Sequence, residues 1–235
     1  MRTELCVYCN LRPGTTWDHV PAKGLYPPPR PHNLIKVPCC EPCQRATPKD
    51  DEYFRFILAS RWEVGDSPSA RACWPALHRS LRKPEAAGFR QLILSKTSEA
   101  DVMTPAGLHL GRRMIFEVDP LRVEKVLGRT VWGLFYHHFK PQRLPDDYAV
   151  AVLDVAQLLE IRKPDEVARV VTPLLHAEEH VIGGDVFAYR FQVAPEQPNT
   201  TTWMLRFYGA VEFLAITVPR ASAPRPMVHG LQARP

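Results

Sequence analysis

Two Cys-x-x-Cys pairs, Cys6-Val7-Tyr8-Cys9 and Cys40-Glu41-Pro42-Cys43, stand 30 residues apart near the start of this chain. A pair at this spacing lets two thiolates reach one zinc ion at about 2.3 Å, and two pairs complete a tetrahedral shell. Such a closed site is structural. The segment between the pairs carries the run Pro27-Pro28-Pro29-Arg30-Pro31, which can be neither a helix nor a central strand. A segment so poor in core of its own would draw much of its folding free energy from Zn²⁺. Cys39 is a neighbouring alternative to Cys40, but Cys40 repeats the spacing of the first pair. Cys73 falls in a helical stretch and reads as a small core residue. Five of the six cysteines lie within the first 43 residues. Residues 1–6 lack the apolar core of a signal peptide, so the clustering implies metal rather than disulfides and a cytoplasmic location.

Beyond the second pair, Thr47-Pro48-Lys49-Asp50 is a helix start, and Tyr53, Phe54, Ile57 and Leu58 form the apolar stripe that follows it. Residues 65–68 read as a linker or turn, with a helix from Ser69 to Arg82. Residues 101–118 suggest paired strands. Asp119-Pro120 opens a long amphipathic helix to about His138, with Val123, Val126, Leu127, Leu134 and Phe135 on its apolar face. The segment from Val186 to Val193 and the alternation Trp203, Leu205, Phe207 read as strands, and the stretch to Val218 is β-rich. Gly209 marks a bulge or turn between two of them. Trp132, Phe135, Trp203, Phe207, Tyr208 and Phe213 read as core. His137 and His138 point about 100° apart on a helix and are assigned to surface and core, not to a metal.

The order within the first quarter of the chain is more specific than any single piece. Between the knuckles lies Trp17-Asp18-His19-Val20-Pro21, followed by Asn33-Leu34 and then the second knuckle. Over about residues 4–55 this order resembles the zinc-containing branch of the HNH, or ββα-metal, endonucleases. The resemblance implies a metal-dependent endonuclease that hydrolyses phosphodiester bonds in DNA. His19 would be the general base, a role suited to an imidazole that titrates near neutrality. Asp18 would hold the catalytic Mg²⁺ or Mn²⁺, for which a hard oxygen ligand is apt. Asn33 would brace the hairpin and orient the base. Gln44 stands where members commonly place Asn or His as a second ligand. Its carbonyl lies one methylene further out, and Asp50 or Asp51 could assist. The alternative is a zinc-folded module that binds nucleic acid or protein without catalysis, and Gln44 favours it.

The expected class is therefore α+β. A zinc-stapled ββα-metal module over 1–62 precedes an α+β domain with an antiparallel sheet over 65–219 and a disordered tail over 220–235. The second domain has no assigned role and is a candidate surface for a protein partner. No apolar run is long enough to cross a bilayer, so no membrane partner is expected. Lys and Arg exceed Asp and Glu by 13 to 8 over residues 61–140. That excess would suit a phosphate backbone or serve as a solvated face. No helix rich in Arg and Asn stands out as a sequence-reading element.

Overall fold

A computed structural model of the chain describes residues 4–104, 106–161, 164–223 and 231–232. Strands β1 (Thr16–Val20) and β2 (Ile35–Cys39) pair antiparallel, with Trp17 opposite Pro38, Asp18 opposite Val37 and His19 opposite Lys36. Helices α1 (Glu41–Arg45) and α2 (Pro48–Ser60) follow directly. Helix α2 begins at Pro48, where Thr47-Pro48 signals a helix start. Thr47 differs in detail. Its side chain makes no cap bond to the helix backbone, while its carbonyl accepts from the amides of Asp50 and Asp51.

Helices α3 (Pro68–Leu81) and α4 (Ala87–Ser95) lead into the hairpin of β3 (Thr97–Met103) and β4 (His109–Val118). Ser67 caps α3 by accepting from the amide of Ala70. Helix α5 (Pro120–Phe139) then runs for 20 residues. Asp119 caps it, accepting from the amides of Leu121 and Arg122, as its position before a first-turn proline predicts. Strand β5 (Tyr148–Asp154) and helices α6 (Val155–Ile161) and α7 (Pro164–Leu175) come next. The chain continues through β6 (His180–Ile182), β7 (Phe187–Ala194), β8 (Gln197–Phe207) and β9 (Val211–Pro219). Together they form a five-stranded antiparallel sheet of order β5-β9-β8-β7-β6. Gly209, at φ +73°, sits in the turn between β8 and β9. The molecule is thus α+β with antiparallel sheets. Of the expected tail, Arg220–Ser222 form a 3₁₀ turn, and β10 (Leu231–Gln232) pairs with β4. Residues 224–230 and 233–235 lie outside the described residues.

Helix α5 joins the two halves. Its Val123, Leu127, Val131, Leu134 and Phe135 are all buried, a stripe of i, i+3 and i+4 spacing. One hydrophobic cluster runs from Val7, Val20 and Val37 of the first segment through α2 and α5 to Trp203, Phe207 and Phe213 of the large sheet. The segments 1–62 and 65–219 therefore share a core. Close approach of α5 to β1 depends on Gly133, because a Cβ there would meet Val20 Cγ2 at 2.5 Å. The predicted aromatic core is present, with Trp203, Phe207, Tyr208, Phe213 and Phe135 buried and Trp132 half-buried. Cys73 is buried as expected. Among the described residues no helix is long and apolar enough to cross a membrane.

Candidate functional site

The first knuckle is a turn closed by the amide of Asn10 on the Cys6 carbonyl, with Asn10 at φ +50°. It is docked on β2 by the amide of Val7, which donates to the Pro38 carbonyl. Gly14 permits that docking, since a Cβ there would meet the Pro38 side chain at 2.6 Å. The second knuckle begins at Cys40, just before α1, whose first turn is closed by the Gln44 amide on the Cys40 carbonyl. These contacts bring Cys6, Cys9, Cys40 and Cys43 together, with all four sulfurs within 4.8 Å of one another. The Cys9 and Cys40 sulfurs are 3.8 Å apart. That matches the edge of a tetrahedron whose metal–sulfur distance is about 2.3 Å. The four cysteines could hold a structural metal such as zinc. All are free thiols. Cys39 is excluded from the cluster because strand alternation turns it away. Its thiol lies 3.5 Å from the Arg129 guanidinium and donates to the Cys40 carbonyl. Burial pushes that thiol up to about 12.

Beside the cluster, at the end of the hairpin, is a small cleft. Tyr8, Asp18, His19, Asp51 and Arg129 are among its lining residues. One oxygen of Asp18, Oδ2, accepts from the Tyr8 hydroxyl at 2.8 Å and from Arg129 Nε and Nη2 at 3.1 and 2.8 Å. The Arg129 guanidinium also lies over the Tyr8 ring, 3.6 Å from its centroid. The other oxygen of Asp18 makes no hydrogen bond among the described residues. Asp51 carries a second carboxyl of the cleft, pushed up to about 6 by burial and by the charge of Asp18. His19 is half-buried. Its imidazole lies below its ordinary pKa because of that burial and the charges of Lys23, Lys36 and Arg30, against the opposing pull of Asp18. It therefore takes up a proton less readily than an ordinary imidazole.

Asp18 and His19 both border the cleft, Asp18 from the side of β1 that faces α5 and His19 from the other, and neither of the other two predicted site residues does. Asn33 is exposed in the turn before β2 and makes no side-chain hydrogen bond among the described residues. Gln44 donates through Nε2 to the Trp17 carbonyl at 3.2 Å, so it braces the backbone one residue before Asp18. Of the two acids considered as helpers, Asp50 faces away and pairs with Arg122 and Lys125, which hold its carboxyl below the usual range despite burial. Only Asp51 lines the cleft. Sequence reasoning missed Tyr8 and Arg129. Tyr8 sits inside a cysteine motif that drew attention to its ends. Arg129 is 111 residues from Asp18, on a helix whose polar face carries no signature of a site.

Ion pairing also redistributes the basic charge. Much of the mid-chain excess is spent on acids. Arg122, Lys125 and Arg129 pair with Asp50 and Asp18, while Lys96, just before β3, pairs with Glu117 of β4 and Arg112 pairs with Glu99 and Asp101 within the hairpin. Lys23, Arg30 and Lys36, all exposed near His19, form no ion pair among the described residues. No family model, curated protein or solved structure matches the chain.

Proposed function

We propose that the cleft hydrolyses phosphodiester bonds in DNA, in the manner of an HNH-type endonuclease. The observation that carries this reading is the shared cleft of Asp18 and His19 at the end of a hairpin fastened beside the four-cysteine cluster. A neutral imidazole is needed to accept a proton from water, and burial and neighbouring cations favour the neutral form of His19. The unpaired Lys23, Arg30 and Lys36 complement a phosphate backbone.

Zn²⁺ would be held by Cys6, Cys9, Cys40 and Cys43 and would stabilise the fold rather than react. A catalytic Mg²⁺ or Mn²⁺ fits the oxygen donors available, namely the free oxygen of Asp18 and the carboxyl of Asp51. Such an ion supplies charge to offset the phosphate and the leaving oxygen. His19 takes the proton from the attacking water. Arg129 and Tyr8 fix the Asp18 carboxylate in one orientation. Gln44 holds the strand that presents it and is not a ligand in this mechanism.

A second reading is a zinc-folded nucleic-acid-binding module without catalysis. Two observations favour it: Arg129 occupies one oxygen of Asp18, and Gln44 is turned to the Trp17 carbonyl. Plasmid cleavage by zinc-loaded protein with added Mg²⁺ or Mn²⁺ separates the two. The nuclease reading expects metal-dependent nicking that drops by a factor of about 10²–10⁴ in His19→Ala, with zinc content and folding unchanged. Intact DNA binding without cleavage would select the second reading.

A further inference from the structure

Strand alternation divides β1 into two faces. Asp18 and Val20 face α5, where they meet Arg129 and Gly133. Trp17 and His19 belong to the other face, opposite Pro38 and Lys36 of β2. Trp17 is 59% exposed, a high value for the residue with the largest apolar side chain. Its backbone is nonetheless held firmly. It is paired across the hairpin to β2, its carbonyl is bonded to Gln44, and the neighbouring Thr16 hydroxyl donates to the Cys39 carbonyl. The result is a rigidly mounted aromatic surface two residues from His19, or about 7 Å along the strand. Cations gather around His19 two residues away: Lys36 opposite it on the facing strand, with Lys23 and Arg30 near it, none of them in an ion pair among the described residues.

An open ring on a fixed strand, two residues from a histidine beside unpaired cations, matches one kind of ligand chemistry. Cations attract a phosphodiester backbone, and the ring accepts the flat face of a base. In a duplex those faces are stacked on one another and closed to a side chain of a short hairpin. A single strand leaves them open. We propose that Trp17 is a stacking platform for an unpaired nucleobase next to the phosphate at His19, and that the favoured ligand of this site is single-stranded DNA. This rests on the nucleic-acid reading of the cleft but not on its catalysis.

The test is binding of a labelled oligothymidylate, and of a duplex of equal length, to full-length zinc-loaded His19→Ala protein without added divalent metal. Both are followed by fluorescence anisotropy. The single strand is expected to bind more tightly than the duplex. Adding Trp17→Ala should weaken single-strand binding roughly tenfold and change duplex binding less than about twofold. Trp17→Phe should restore most of the loss, since it returns a ring without the indole N–H. Lys36→Gln should reduce the salt slope of single-strand binding by about 0.7. Equal binding of both ligands, equal losses on both in Trp17→Ala, or no rescue by Trp17→Phe would overturn the platform. Because binding is read in a variant that lacks the proposed base, absence of plasmid cleavage would sink the nuclease reading and leave this inference standing.

Discussion

Around β1 and β2 the buried groups are cysteines, a tyrosine lying against an arginine, and a few aliphatic side chains. Around β7, β8 and β9 they are rings. Trp203 lies 4.6 Å from Phe191 in a stacked pair, Phe187 is 5.0 Å from Phe207, and Phe54 of α2 meets Phe207 edge-on at 5.3 Å. The two regions bury side chains to different ends. The sheet gains from apolar area, which needs no particular partner. The hairpin depends on directional groups, each of which loses its value if its partner is removed. Four thiols packed together are useful only around a cation, and a buried carboxylate is tolerated only beside Arg129 and Tyr8. The first region is therefore brittle and chemically specific, and the second is robust and chemically silent.

Metal removal should give the sharpest contrast. Chelation to zero zinc, or Cys6→Ser, should destabilise the hairpin by an amount on the order of several kcal/mol. Since Val7, Val20 and Val37 belong to the common core, the melting temperature of the whole chain should fall with it. Calorimetry beside metal analysis checks this, and an unchanged melting temperature in metal-free protein would remove the staple. On the other side, Trp203→Ala should cost about 3–5 kcal/mol, because the ring is fully buried. It should leave zinc content intact, which would show that the ring stabilises the shared core without acting on the metal site.

Smaller effects probe the seam between them. Gly133→Ala places a Cβ against Val20 and should cost about 1–3 kcal/mol. In urea melts, Val20→Ala should recover part of that loss, and strict additivity of the two substitutions would mean that the helix and strand do not press on each other there.

The smallest effect should come from pH acting on the sheet. Burial, with His137 and His180 adding their charges, holds His138 down at about 4, and its Nε2 meets the Tyr189 hydroxyl at 2.8 Å. The unfolded chain protonates this histidine near pH 6.5, whereas the folded chain resists until about 4. The stabilisation is thus complete above pH 6.5 and declines as pH falls from 6.5 to about 4. Melting temperatures across this window should fall less steeply for His138→Gln than for the native chain. Parallel curves would show that another group governs the window.

Much of this architecture was legible locally. Asp119-Pro120 marks the start of α5 because a capping carboxylate and a first-turn proline act within one turn of the backbone. The alternation of Trp203, Leu205 and Phe207 marks β8 because its side chains alternate between faces. The two cysteine pairs, and the choice of Cys40 over Cys39, follow from spacing alone, since a knuckle is a property of four consecutive residues. Asp18 and His19 were picked out by the motif order that carries the family resemblance, and both border the cleft. Arg129 and the sorting of Asp51 from Asp50 were not legible. Those depend on where α5 lies against α2 and β1, a packing that Gly133 permits and the shared core maintains. Likewise the sequence held a mid-chain excess of Lys and Arg, but only the folded chain decided which cations were consumed by ion pairs and which, near His19, were left free. Motifs report what neighbours along the chain can do together. Charge and access depend on residues a hundred positions away, and only the tertiary structure brings those within a few ångströms.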